Sequence, residues 1–328
     1  MRLFAAALAG AGMFLAPAEA QEMGAVEIKE WEVPWEGTRP RDPFAASADS
    51  VWFQGQTGHY IAHLKPSTGE MERIDLEPGA GPHNLIVSKD GRVWIAGNRI
   101  GSIDVYDPKA KSFHKIPMPE PEAKDPHTLI FNEDESEIYF TLQGSNMIGK
   151  LDTETEEVSL VRVHTPRSRP YGINQAPDGS VWVALFAQPK LLKVDPETMV
   201  LTEITLPRPE TRSRRLEITS DGRIWYADYR GGKLGVFNPQ DNKIREWLLP
   251  GGESSRPYGM EVDGQDRLWI VETGGDPDRF IGFDTNTETF FSRTEVASRV
   301  IRHMHYHEPS GTVWFGTDAN TVGRAKVE

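Results

Sequence analysis

Hydrophobic and polar residues trade places every second position along most of this chain, in short runs separated by tight polar turns. A period of two puts alternate side chains on opposite faces of a strand, so the elements all read as β. One run returns again and again, a hydrophobic strand with an aromatic residue near its start. It occurs as Val51-Trp52-Phe53, Val93-Trp94-Ile95, Ile138-Tyr139-Phe140, Val181-Trp182-Val183, Ile224-Trp225-Tyr226, Leu268-Trp269-Ile270 and Val313-Trp314-Phe315. The aromatics stand 42, 45, 43, 43, 44 and 45 residues apart by subtraction of their positions. A period in the low forties, all strand, is that of a four-stranded propeller blade.

The other strands of the unit follow in order. Asp90-Gly91, Asp178-Gly179, Asp221-Gly222 and Ser310-Gly311 precede the aromatic strand and signal tight hairpins, since glycine tolerates positive φ. A second alternating strand comes after it, as in Ile100 to Val105 or Met147 to Asp152, and then an outer strand such as Ser112 to Pro117. Each unit therefore carries strands A, B, C and D. The last repeat stops after its third strand, near Thr321 to Val327, and the missing pattern lies at the other end of the chain, in Glu27 to Pro34. The sequence thus predicts an all-β, seven-bladed propeller closed by an N-terminal strand, which leaves no unpaired sheet edge at the join.

Residues 1–20 are expected to lie outside this domain. Arg2, the apolar run Leu3 to Leu15 and the small-x-small site Ala18-Glu19-Ala20 have the form of a cleavable signal peptide, and the apolar run is too short to span a bilayer. The expected product is a single domain over 21–328, periplasmic or secreted, with no membrane anchor. It has no cysteine, so disulfides and lipidation at a cysteine are excluded. With 49 acidic and 36 basic residues, the net charge of −13 argues against nucleic acid or an anionic membrane as partner. A ring that hides its own edges is expected to be a monomer.

In an antiparallel blade the D–A crossovers and B–C loops share one face, and the candidate chemistry collects there. The crossovers place Arg41, Arg169, Arg214 or Arg215, Arg256 and Arg302 on blades one and four to seven, with Tyr171 and Tyr258 beside them, and His83 and His127 on blades two and three. His303 reads as a third mouth histidine, His305 as a residue just inside the channel, and His307 as structural. Guanidinium groups recognise carboxylate or phosphate bidentately, so the partner is expected to be a small anionic or ester-bearing molecule; pairing with nearby acids is the plainer alternative. Asp228, Glu272 and Asp318 follow strand B in three blades and are candidates for holding a divalent cation, Mg²⁺ ahead of Ca²⁺, or for salt bridges to Arg214, Arg256 or Arg302. The alternation His303, His305, His307 admits a zinc site but is also ordinary strand packing. His59, His63, His114 and His164 read as surface residues on B–C loops or outer strands.

Pro-His and Pro-Tyr-Gly-Ile crossovers, Asp-Gly turns, strands beginning Val-Trp or Ile-Trp, and Ile-Gly-x-Ile/Leu strands together resemble the streptogramin B lyase (virginiamycin B lyase) family, over residues 25–328. The resemblance implies a seven-bladed propeller that holds Mg²⁺ at the channel mouth on acidic residues and opens a cyclic depsipeptide by elimination at its ester, with histidines from Pro-His crossovers as acid and base. His303 then corresponds to the Pro-His of the last blade and Asp318 to the acid that follows. Two positions depart: Arg256-Pro257-Tyr258 stands where the family has Pro-His, and Ile301 where it has an acid. His83, His127 and Glu272 are the residues on other blades able to supply equivalent groups. The expected activity is a carbon–oxygen lyase with His303, His127 and His83 as proton-transfer groups. The alternatives are a non-catalytic periplasmic propeller that binds an anionic ligand or a partner protein, and a metal-dependent lactonase, whose propellers usually have six blades.

Overall fold

The computed structural model describes residues 23–328, so the expected signal peptide at 1–20 lies outside the described residues. Seven four-stranded antiparallel sheets follow one another along the chain. Blades one to six span 40–75, 85–117, 126–162, 170–205, 213–248 and 257–296; blade seven takes 304–326 and the strand Glu27–Glu32. Each A strand packs against the A strands of both neighbouring blades, which closes a ring around a central channel. No helix among the described residues is long and apolar enough to cross a membrane.

The closure is the expected one. Glu27–Glu32 pairs antiparallel with Thr321–Lys326 in unbroken register, from Glu27 opposite Lys326 to Glu32 opposite Thr321. Trp31 stacks on Trp314 of the same blade at 5.4 Å between ring centres. Blade seven is therefore built from both ends of the domain, and opening the ring means breaking that ladder.

The hydrophobic core lies between blades. Trp94 and Ile103 of blade two pack with Leu129, Phe140 and Leu151 of blade three, and comparable clusters fill the other inter-blade spaces. The five strand-B tryptophans from Trp94 onward are fully buried. A buried indole N–H needs an acceptor, and each finds one in or beside its A–B turn: Ser88, Ser180, Thr219, Asp263 and Thr312 at 2.8–3.4 Å. The turn signals and the aromatic repeat are thus one device. The Ile-Gly step of strand C has an equally local cause: a Cβ on Gly149 would stand 2.1 Å from the Phe140 ring.

Candidate functional site

Pairing between strands A and B sets the level of every side chain in the channel. Leu85, Leu129, Ile173, Leu216, Met260 and Met304 lie opposite Ile95, Phe140, Val183, Tyr226, Ile270 and Phe315. Two residues upstream of this level stand His83, His127, Tyr171, Arg214, Tyr258 and Arg302, with Arg41 from blade one. One residue upstream stand Asn84, Thr128, Gly172, Arg215, Gly259 and His303, with Asp42. A β-bulge interrupts the ladder here in blades one and three to six, which adds a residue to strand A before regular pairing begins. The expectation that His303 shares the level of His83 and His127 is corrected: Arg302 occupies that level, and His303 lies one residue deeper.

The rim above is basic. The residues that precede the crossover step, Arg39, Gly81, Arg169, Arg256 and Val300, all have φ between 47° and 63°. A cavity of about 650 Å³ opens over blades four to six, walled by Phe186, Tyr229, Arg169, Arg212, Arg230 and Arg256, with Glu253 as its one acid. Among the described residues, none of Arg169, Arg212, Arg214, Arg230 and Arg256 lies within ion-pair distance of a carboxylate. Arg214 is held by rings alone, 3.9 Å from the centre of Tyr258, 4.5 Å from Phe186, 4.6 Å from Tyr229 and 5.2 Å from Tyr171. Arg302 differs, since it forms a two-pronged ion pair with Asp318, which also meets Arg39 at 3.4 Å.

Beneath the rim is a buried layer. The His83 and His127 rings lie 3.6 Å apart, and His83 Nδ1 lies 3.0 Å from the His127 carbonyl oxygen. Burial first, and then Arg41 beside His83 and His83 beside His127, push both imidazoles well below their ordinary range, so both are neutral. Tyr171 and Tyr258 meet hydroxyl to hydroxyl at 2.6 Å. Burial alone would raise the Tyr171 phenol, but Arg214, Arg215 and Arg41 outweigh it and draw the phenol below its usual value. His303 lies 3.4 Å from Asp42, which also accepts from Arg41 at 3.0 Å. Despite burial, the Arg41 guanidinium holds Asp42 well below the ordinary carboxylate range. Arg215 spans the channel centre, with Nη1 3.4 Å from Thr128 Oγ1 and Nε 3.3 Å from the Arg302 carbonyl oxygen.

The three candidate metal acids are each engaged within reach of their own blade. Asp228 accepts from Arg208 at 2.6 Å and from the Arg212 amide at 2.9 Å. Glu272 accepts from the Gly251 amide at 2.6 Å and lies 3.6 Å from Arg279. Asp318 is paired with Arg302. The described residues hold no group of three His, Asp or Glu side chains spaced to bind a metal ion, and we derive no step through one. The salt-bridge alternative is met for Asp318 with Arg302, whereas Asp228 and Glu272 take Arg208 and Arg279 rather than Arg214 and Arg256. Of the remaining histidines, His114 is exposed on an outer strand, but His63 belongs to strand C, stacked on Trp52 at 4.7 Å. His307 bonds Ser310 in the blade-seven turn, as a structural residue would.

One residue below the paired level lies a third ring: Phe44, Ile86 and Ile130, then Asn174, Glu217, Glu261 and His305. Reading by motif finds His305 but misses the two glutamates, although each is a lone acid between apolar neighbours in an inner strand, Leu216-Glu217-Ile218 and Met260-Glu261-Val262. Burial raises Glu217 to about 8. The folded chain therefore holds a proton there that the unfolded chain releases above about pH 4.5, so this group lowers stability as pH rises from about 4.5 through 8. Glu217→Gln is expected to gain stability relative to the parent across that window, measured by denaturant melts at a series of pH values. A parallel pair of curves contradicts the assignment.

The family comparison fits this geometry. The model for the virginiamycin B lyase family matches residues 97–328, well over half of the chain. The chain belongs to the virginiamycin B lyase family. Among solved structures, a streptogramin B lyase superposes with a TM-score of 0.81 at 20% identity, covering 92% of this chain and 98% of that one. Virginiamycin B lyase from Staphylococcus aureus gives 0.81 at 19%, covering 92% and 99%. The Kuenenia stuttgartiensis hydrazine synthase structure gives 0.74 at 15%, covering 90% and 98%. At these identities the likeness is one of fold. No curated protein sequence matches the chain. Within the virginiamycin B lyase fold, Tyr258 and Arg302 fill the places in the ring that His83 and His127 fill on blades two and three.

Proposed function

We propose that this family member is an exported carbon–oxygen lyase whose substrate is a small ester carrying a carboxylate or a comparable anion. The observation that carries the reading is the set of arginines without carboxylate partners around the mouth cavity. Charged groups gathered without partners on a protein of net charge −13 oppose the Coulomb preference of the chain, and an anionic ligand removes that cost. Phe186 and Tyr229 give the same cavity a flat apolar wall for the rest of the molecule.

In an elimination, a base removes the proton beside the carbon that bears the ester oxygen, a C=C bond forms, and the carboxylate leaves with the C–O electrons. Arg169, Arg212 and Arg256 anchor the substrate anion, and Arg214 stabilises the charge that develops as the proton departs. The base in this reading is Tyr171, with Tyr258 donating to its oxygen. Arg214 covers that pair and has no hydrogen bond to hold it there, so an anion that draws Arg214 upward opens the phenols to the cavity. The carboxylate departs as the anion, and the proton held by Tyr171 passes to solvent as the product leaves. Divalent metal enters no step.

The second reading, a propeller that binds an anion without turning it over, is favoured by the burial of His83 and His127, which are 7% and 1% exposed. Citrate as an anionic probe tests what the readings share. It is expected to raise the melting temperature of the parent, and the triple substitution Arg169→Ala, Arg212→Ala, Arg256→Ala is expected to weaken it at least tenfold; equal affinity in both removes the mouth as the site. Cyclic and linear esters carrying a carboxylate then separate the readings. A lyase yields a conjugated alkene and takes no oxygen from isotopically labelled water, a lactonase incorporates that oxygen, and a binder does neither. Chelation by EDTA is expected to leave turnover unchanged.

A further inference from the structure

The third ring lines a half-open cavity of about 280 Å³ that the mouth chemistry does not use. The buried layer of His83, His127, Tyr171 and Tyr258 lies between the two, each of these residues being at most 7% exposed. Its walls are sorted by blade. Blades one to three contribute Phe44, Ile86 and Ile130, and blades four to seven contribute Asn174, Glu217, Glu261 and His305.

The polar wall carries two carboxylates with no cation in contact with either. Glu217 is 6% exposed, and one of its oxygens accepts from Asn174 Nδ2 at 2.7 Å. Among the described residues, neither Glu217 nor Glu261 has a lysine, arginine or histidine within ion-pair distance, and the Glu261 carboxyl is met by the backbone amides of Val262 and Tyr306 rather than by another side chain. Two carboxylates lining one poorly hydrated cavity favour a cation or a proton between them. His303 and His305 are the other titratable groups lining this space, and Arg215, outside its lining, is the cation whose charge offsets part of the effect of burial on both glutamates. Burial, with His303 nearby, pushes His305 down to about 3, so its imidazole is neutral and one ring nitrogen is an acceptor.

We propose that this inner cavity binds a protonated primary amine carried on a short apolar stem. An ammonium group has three N–H donors, and the polar wall offers three acceptors in Glu217, Glu261 and His305. The stem lies against Phe44, Ile86 and Ile130. An apolar cavity of about 150 Å³ accommodates benzene, so 280 Å³ takes a butyl or phenylethyl group. The described residues contain no three-ligand group at metal spacing, whereas an ammonium accepts the longer reach of hydrogen bonds.

Binding displaces the proton that the glutamate pair otherwise retains, as burial and the neighbouring Glu217 also raise Glu261 well above its ordinary value. Affinity for the amine is therefore expected to increase about tenfold for each unit that pH rises toward about 8 and to level off above it. The test uses the full chain with n-butylammonium and phenylethylammonium as probes, and sodium and tetramethylammonium as controls. At tenfold excess over Kd, the melting temperature is expected to rise by about 2 °C with the primary amines and to stay level with the controls. Glu261→Gln is expected to lose at least tenfold in affinity, and Arg212→Ala, on the mouth, to lose none. Calorimetry of the parent in two buffers, which needs no variant to fold, is expected to show about one proton released per amine bound. No thermal shift, an equal shift with sodium, an unchanged affinity in Glu261→Gln, or no proton release each overturns the proposal and leaves the pair as two acids sharing a proton.

Discussion

Deleting residues 27–34 is expected to abolish the cooperative thermal transition and to yield aggregated protein, read by circular dichroism and light scattering. The segment supplies a whole strand of blade seven, six residues in register against Thr321–Lys326. Its loss strips the outward ladder from that strand, and an unpaired edge of this length is a template for intermolecular pairing. It also uncovers Trp314 and Val322, both fully buried, which share a cluster with Trp31 and Val33 and with blade-one residues such as Phe53 and Leu64. The damage thus reaches the blade on either side of the join. A milder variant grades the effect: Trp31→Ala removes a 9% exposed indole stacked on Trp314 and is expected to cost about 3–5 kcal/mol, a fall of roughly 5–8 °C in Tm. An unchanged Tm in the deletion would mean that the ring closes without this strand.

Tyr171→Phe is expected to lower kcat about 10²- to 10⁴-fold, the usual worth of a positioned base, while KM for an anionic ester changes little. The substitution removes the oxygen 2.6 Å from Tyr258 Oη and nothing else, so the ring keeps its packing against His127, 4.4 Å away centre to centre. The pH profile gives a readout that a purely structural role does not move. Arg214, Arg215 and Arg41 favour the phenolate, so Arg214→Met raises the Tyr171 pKa and shifts the acidic limb of kcat/KM to higher pH. Turnover that survives Tyr171→Phe intact moves the base elsewhere, to His303 in the first instance. Turnover absent in the parent, with citrate still bound, leaves the mouth as a binding site.

The architecture was legible because its cause is local and repeated. Every blade carries a tryptophan or tyrosine in strand B; in five of them a hydroxyl or carboxylate in or beside the turn receives the indole N–H, and in four a strand-C glycine, Gly149, Gly235, Gly282 or Gly323, lets an aromatic ring pass. A signal of that kind survives at low identity because the contacts involved lie within one hairpin or its neighbour. The basic arc was legible for a related reason: the D–A crossovers recur at the same phase of the repeat, so Arg169, Arg214 and Arg256 had to share a face.

The levels inside the channel were not legible, and neither were the partners of the acids. His303 follows Arg302 by one residue, and only the strand pairing decides which of the two sits beside His83. Asp228 and Glu272 stand at matching offsets in the repeat, yet Asp228 is matched with Arg208 from the preceding crossover and Glu272 with Arg279, opposite it on strand C. Glu217 and Glu261 belong to strands 44 residues apart and face one cavity only because blades five and six are neighbours in the ring. By itself, then, the sequence determined seven blades, their closure and the face that carries the arginines, since these follow from periodicity and turn chemistry. Which side chains meet, which are buried and which remain without a partner was decided by the tertiary structure, because those depend on bulges and on contacts between blades that no single repeat encodes.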